Sequence, residues 1–123
     1  LKRCPNIRFI VAHGGGTVPF LAQRIAMMEG HRGAKNVTDV LPTLRSLYFE
    51  IASTTSGFAL RSLQELADPT HVLWGSDLPF VYGARLQEEV DHWEHYDGFD
   101  AVGRMDVEQR NALRLFPRLA VVA

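Results

Sequence analysis

The sequence lacks several features that would assign a protein to a specialised class. Its single cysteine, Cys4, excludes an internal disulfide and fits a reducing cytosol. No apolar run approaches the ~20 residues needed to cross a bilayer, and no signal peptide opens the chain. A net charge of −1 gives no electrostatic reason to expect nucleic acid or an anionic membrane as a partner. We therefore expect a cytoplasmic protein without a nucleic-acid or membrane partner.

The remaining composition is that of an ordinary globular domain. Of the 123 residues, 46% are hydrophobic and 22% are charged, enough for one small domain with a modest core. The chain starts at Leu1 rather than methionine and enters the apolar run of residues 8–13 almost at once. We interpret the sequence as a piece of a longer protein.

Three apolar runs predict strands, at residues 8–13, 47–53 and 71–75. Helical spacing follows each of them, and the apolar positions of the three helices are Leu21, Ile25 and Met28; Ala59, Leu63, Leu66 and Ala67; and Leu86, Val90 and Trp93. Residues 30–39 are polar and predict a loop. A last helix is predicted from Asp106 to Phe116, with Gln109 as capping-box partner of Asp106.

The alternation of strands and helices predicts an α/β fold with parallel strands and crossover helices. Three parallel strands alone leave both edges of the sheet open and apolar. A barrel of eight strands needs roughly 250 residues. The pattern therefore favours about three strands of such a barrel.

Two ionisable residues stand where strands end. His13 closes the first strand and Asp77 follows the third, and ligands of parallel α/β folds bind at the carboxyl ends of strands. Imidazole exchanges a proton near neutral pH, and a carboxylate is a suitable ligand for Zn²⁺, Mn²⁺ or Mg²⁺. Ser53 and Thr54 follow the second strand and are candidates to line a pocket. Purely structural roles are equally open, a local hydrogen bond for His13 and a helix N-cap for Asp77.

Three glycines, Gly14 to Gly16, come directly after His13. Neither the dinucleotide fingerprint nor a phosphate-binding loop fits, because Pro19 occupies the last glycine position and no G-K-[ST] follows. We expect a tight turn with positive φ angles, and a close approach of backbone to a ligand in addition.

Four stretches together carry a family resemblance: "CPNIRFIVAHGGGTVPFLAQRI", "LYFEIAS", "HVLWGSDLPF" and "NALRLFPRL". They resemble the C-terminal part of the amidohydrolase-related metal-dependent decarboxylases, the family that includes aminocarboxymuconate semialdehyde, γ-resorcylate and 6-methylsalicylate decarboxylases. The resemblance covers nearly the whole chain and is weakest over residues 30–43 and 83–105. The segment "EIASTT" fits the salicylate type better, because it lacks a histidine that the aminocarboxymuconate enzyme carries there.

The resemblance implies a (β/α)₈ TIM barrel, of which residues 1–123 would be the C-terminal part with about strands six to eight. It implies one divalent metal, often zinc, with manganese or magnesium as alternatives. His13 would be the acid/base beside the metal, or a metal ligand as in related two-metal enzymes. Asp77 would be a metal ligand that also handles protons, and Phe80 would join Ser53 and Thr54 in the pocket. The substrate would be a small aromatic or enol-like carboxylic acid, and the intact protein would be a homodimer.

The sequence also departs from the family pattern. The paired ligands of strand one, H-x-H or E-x-H, and the histidine of strand five have no counterpart and are expected upstream of Leu1. One carboxylate cannot complete a catalytic metal site, so we expect the chain alone to be inactive. Glu50 stands where many relatives have aspartate. Two alternatives stay open: a metal-dependent hydrolase of a lactone, ester or amide, and a truncated, non-catalytic module.

Overall fold

The computed structural model of the protein describes residues 6–31 and 40–122. Three short strands form one parallel sheet in chain order: β1 is Ile10–Val11, β2 is Tyr48–Glu50 and β3 is Val72–Leu73. Ile10 pairs with Tyr48, and Phe49 pairs with Val72. The predicted parallel order is therefore confirmed, with strands shorter than the apolar runs that indicated them.

Helices connect and follow the strands. Their bounds are α1 Val18–His31, α2 Val40–Arg45, α3 Gly57–Leu66, α4 Ala84–His95, α5 Ala101–Met105 and α6 Asn111–Leu115. A π-helical turn, Asp106–Arg110, joins α5 to α6. In the described residues, no helix combines the length and the apolar character that a bilayer crossing requires.

The core lies between the sheet and the helices. Phe49 of β2 and Ile51, directly after this strand, are fully buried. Helix α3 packs Leu60, Leu63 and Leu66 against them because these residues recur on one helical face. Trp93 of α4 and Val107 complete the cluster from the C-terminal half of the chain.

Two expectations about the helices are wrong in detail, and one helix was not expected. Gly30 and His31 continue α1 instead of opening a loop, while residues 32–39 lie outside the described part of the chain. Helix α2 has no counterpart in the predicted pattern. The last helical segment begins at Ala101 rather than Asp106, because the carboxylate of Asp100 accepts a hydrogen bond from the Gly103 amide at 2.7 Å and caps that end.

The two edges of the sheet differ, so the expectation of two open edges is wrong for β3. The Leu73 carbonyl accepts from the Ile51 amide, directly after β2. The polar backbone groups of Val72 and Trp74, on either side of Leu73, therefore face the other edge. There the Trp74 amide donates to the Val107 carbonyl at 3.0 Å, and the fully buried Asn111 side chain donates to the Val72 carbonyl at 2.8 Å. Strand β1 has no described neighbour on its outer side, and Ile10 is 44% exposed rather than buried.

Candidate active site

The three strands deliver three unusual residues to one edge of the sheet. His13, Ser53 and Asp77 follow β1, β2 and β3 at their carboxyl ends, with φ angles of 54°, 56° and 57°. No other described residue except glycine has a positive φ. Backbone strain of this kind costs of order 1–3 kcal/mol per residue and concentrates at functional sites. Two of the three are the ionisable residues that the sequence points to as catalytic, and the third is the predicted pocket serine.

The His13 ring is held by one hydrogen bond and is otherwise exposed. Its Nδ1 lies 3.1 Å from the carbonyl oxygen of Ala52. A carbonyl oxygen only accepts, so Nδ1 carries the hydrogen and the lone pair of the neutral ring is on Nε2. The structural role considered for this residue is thus real, and it leaves the second nitrogen free for chemistry.

Asp77 does not cap a helix. Its backbone carbonyl accepts from the amides of Phe80 and Val81 at 2.8 and 3.0 Å, and α4 begins seven residues later, after Gly83. The half-buried carboxylate accepts no hydrogen bond from any described residue. It is therefore available to a ligand, unlike a capping carboxylate.

The glycine turn is confirmed, and it allows two close approaches. Gly14, Gly15 and Gly16 have φ angles of 58°, 79° and 57°. A Cβ on Gly14 would lie 3.0 Å from Thr54 Oγ1, and one on Gly15 would lie 3.0 Å from the ring of Phe49. The turn brings the backbone after His13 tightly onto the end of β2.

A cavity of about 290 Å³ opens beside this edge, between the N-terminal ends of α1 and α3. Gly14, Gly16, Phe20, Thr54 and Phe58 are among its mostly apolar lining residues. Thr54 thus faces a cavity, whereas Ser53 and Phe80 are exposed side chains outside its lining. The assignment of these three residues to a substrate pocket stays a prediction.

The described residues do not make a metal centre by themselves. Across residues 6–31 and 40–122, no three His, Cys, Asp or Glu side chains come together in a way that could hold a metal ion. A catalytic zinc site usually takes three protein ligands and an open position. His13 and Asp77 therefore do not by themselves fit such an ion.

Glu50 is the residue at this edge to which sequence reasoning gave no role. Its half-buried carboxylate accepts from the Ala52 amide at 2.5 Å through Oε1 and from the His13 amide at 3.4 Å through Oε2. A Cβ on Gly75 would overlap Oε1 and lie 2.7 Å from Glu50 Cγ. One feature of the sequence could have pointed to Glu50: it is an acidic residue inside an apolar strand, and that strand lies between the strands that precede His13 and Asp77.

Comparison with known proteins agrees with the predicted family. A family model described as "Amidohydrolase" matches residues 1–118. The 6-methylsalicylic acid decarboxylase of Penicillium expansum is 32% identical in an alignment of 122 residues that covers 97% of this chain and 37% of that protein. The chain thus spans little more than a third of the length of this relative.

Solved structures show the same relation. A crystal structure described as amidohydrolase II matches with a TM-score of 0.80 and 27% identity, over 93% of this chain and 36% of that one. A dihydroxybenzoic acid decarboxylase from Polaromonas sp. JS666, solved with manganese and the inhibitor 2-nitroresorcinol, matches with a TM-score of 0.77 and 16% identity, over 94% and 35%. The predicted fold class, about three strands of a (β/α)₈ barrel, is confirmed.

Proposed function

The chain belongs to the amidohydrolase family, and we propose that it supplies His13 and Asp77 to the active site of a metal-dependent, non-oxidative decarboxylase. The proposed substrate is a small aromatic carboxylic acid of the salicylate type. The observation that carries this proposal is the match to a 6-methylsalicylic acid decarboxylase along 97% of the chain. The strained strand ends that present the two side chains support it independently.

His13 is the proposed general acid. With Nδ1 bonded to the Ala52 carbonyl, a protonated ring carries its second hydrogen on Nε2. Transfer of that proton to the carbon of the substrate ring that bears the carboxylate interrupts the aromatic conjugation of the substrate. The bond from that carbon to the carboxylate then breaks, its electron pair restores the conjugation, and carbon dioxide leaves. The neutral ring that remains keeps its hydrogen on Nδ1 and takes the next proton from solvent.

Asp77 is the proposed contribution of this chain to a metal site. The described residues do not complete such a site, so the remaining ligands would come from residues outside them. We propose zinc, with manganese or magnesium as alternatives. Since an incomplete ligand set cannot hold a catalytic ion, we expect residues 1–123, as the C-terminal part of one barrel domain, to be inactive alone.

Two further proposals concern the location and the assembly of the protein. A cytoplasmic location rests on the single cysteine, and a homodimer rests on the family resemblance alone. Size-exclusion chromatography with light scattering tests the dimer directly, and a monomeric mass would contradict it.

Product analysis tests the proposed activity. The protein in its natural length is incubated with 6-methylsalicylate and related hydroxybenzoates, and carbon dioxide and the decarboxylated phenol are measured. Release of both in equal amounts, lost after chelation and restored by added metal, is expected. Hydrolysis of a lactone, ester or amide without carbon dioxide from any carboxylate would refute the proposal and favour the hydrolase alternative.

A further inference from the structure

The carboxylate of Glu50 contacts the backbone at the ends of all three strands. Oε1 accepts from Ala52 after β2, Oε2 accepts from His13 after β1, and the side chain lies against Gly75 after β3. Gly75 is two residues before Asp77. One acidic side chain in the middle of the sheet thus lies between the two residues assigned to the chemistry.

A chain of hydrogen bonds connects this carboxylate to the His13 ring. Glu50 Oε1 accepts from the amide of Ala52, and the carbonyl of the same residue accepts from His13 Nδ1. The carboxylate therefore fixes the residue whose oxygen sets the orientation and tautomer of the ring. It also bonds the His13 amide, so that backbone and ring are held from one point.

We infer that Glu50 is a positioning residue, which holds His13 in its working tautomer and sets the path of the chain from β3 to Asp77. This inference deepens the proposed function and rests on it for the roles of His13 and Asp77. Both carboxylate oxygens are engaged with backbone amides, so Glu50 itself is not placed to bind metal or substrate. A negatively charged carboxylate suits the position because two amide donors need two acceptor oxygens.

The sharpest variant is Glu50→Gln, which keeps the shape of the side chain but has one acceptor oxygen. Its NH₂ group would face one of the two backbone amides, donor against donor, so one of the two bonds must break. Glu88→Gln is the matched control, because Glu88 is exposed on α4 and makes no hydrogen bond or ion pair with any described residue.

The first readout is the tautomer of the neutral His13 ring, followed by nitrogen-15 NMR. We expect the Nδ1–H tautomer in the unmodified protein and in Glu88→Gln, and a mixture of tautomers in Glu50→Gln. This measurement needs no catalytic activity, so it can fail or succeed whether or not the protein is a decarboxylase. An unchanged tautomer in folded Glu50→Gln would overturn the inference.

The second readout is kinetic. Loss of a group that orients an active-site histidine typically lowers activity 10- to 100-fold. In the protein of natural length, we expect a fall of that size in kcat for Glu50→Gln, with KM within about twofold because Glu50 does not touch substrate. An unchanged kcat, or a fall in kcat without a change in tautomer, would contradict the inference. Absence of activity in the unmodified protein would count against the proposed function alone.

A third measurement covers the case in which Glu50→Gln does not fold. In the unmodified protein, the amide hydrogens of Ala52 and His13 have Glu50 as their acceptor. Slow exchange of the Ala52 amide with solvent is expected. Exchange at the rate of an unfolded peptide would overturn the inference without any variant.

Discussion

Replacing Gly75 by alanine should show how tightly Glu50 is held between the strands. The added Cβ would overlap Oε1 of Glu50 and lie 2.7 Å from its Cγ. The carboxylate can make room only by leaving its positions on Ala52 and His13, since those two hydrogen bonds fix where it lies. The steric cost of Gly75→Ala is therefore coupled to the hydrogen bonds of Glu50.

The magnitudes follow from that coupling. Hydrogen bonds to charged groups contribute ~1.5–3 kcal/mol each, but Glu50 is only half-buried and one of its two bonds is 3.4 Å long, so the loss in Glu50→Ala falls near the lower end. We expect about 2 kcal/mol for Glu50→Ala. Overpacking typically costs 1–3 kcal/mol, and Gly75→Ala is also expected at about 2 kcal/mol because it displaces the same carboxylate. The double variant should lose about 2 kcal/mol rather than about 4, a coupling of roughly 2 kcal/mol between neighbours.

Urea unfolding of the two single variants and the double variant measures these free energies, with constant m-values as the condition for comparing midpoints. Gly57→Ala is the matched control: its Cβ would meet only the Tyr96 ring at 3.9 Å, and it adds a better helix former to α3, so it should be neutral or stabilising. Additive costs in the double variant, or a Gly75→Ala cost no larger than that of Gly57→Ala, would refute the proposed packing of Glu50.

Four further predictions concern the site and its supports, with activity and metal content measured in the protein of natural length. His13→Asn, whose side chain tolerates a left-handed φ, should lower kcat about 10²–10⁴-fold with little change in unfolding free energy, whereas the exposed His92→Asn should leave the rate unchanged. Asp77→Asn should abolish decarboxylation and reduce the amount of bound metal. Little loss of stability is expected, because no described residue donates a hydrogen bond to its carboxylate. Full metal content by elemental analysis would contradict the role of Asp77 as a ligand. Gly15→Ala should destabilise the protein by about 3 kcal/mol in urea unfolding, and Gly16→Ala by about 1 kcal/mol. Both glycines have a positive φ, but only a Cβ on Gly15 would lie against Phe49, so equal costs would exclude that contact. The hydroxyl and amide of Thr70 donate hydrogen bonds to the Asp68 carboxylate and hold its pKa below the ordinary value of 3.8. The stabilising effect of Asp68 is therefore complete above that pH and is lost as the pH falls through the lowered pKa of the folded state. Asp68→Ala should cost about 1 kcal/mol at pH 7 and progressively less below pH ~4, and a cost independent of pH would contradict this sign.

The sequence predicted those parts of the fold whose causes are local. Apolar runs indicated β1, β2 and β3, and the helical spacing of Leu63 and Leu66 indicated α3. In both cases, the residues that form the buried face are close together in the sequence. The resemblance supplied the barrel, which three strands alone do not specify. The closed edge of β3 could not be predicted, because it depends on a hydrogen bond between Asn111 and Val72, 39 residues apart.

The candidate site likewise has parts that the sequence predicted and parts that depend on the folded structure. The positions of His13 and Asp77 after β1 and β3 were predictable because apolar runs end just before them, and their catalytic roles stay predictions. The positive φ of Gly14 to Gly16 followed from the absence of side chains. The function of Glu50 depends on where the His13 amide and Gly75 lie in space, 37 and 25 residues away along the chain. An acidic residue in an apolar strand signals a constraint, and only the folded arrangement shows its origin.

The left-handed residues at the three strand ends explain why this constraint is needed. Strain of order 1–3 kcal/mol per residue persists only where surrounding contacts leave no relaxed alternative. His13 is held in that conformation by its amide bond to Glu50 and by its ring bond to Ala52. Asp77 is held by the turn that its carbonyl forms with Phe80 and Val81, and by the passage of Gly75 across Glu50. Relaxing either residue would change the direction of its side chain, so the same contacts that maintain the strain also hold His13 and Asp77 in place at the carboxyl ends of their strands.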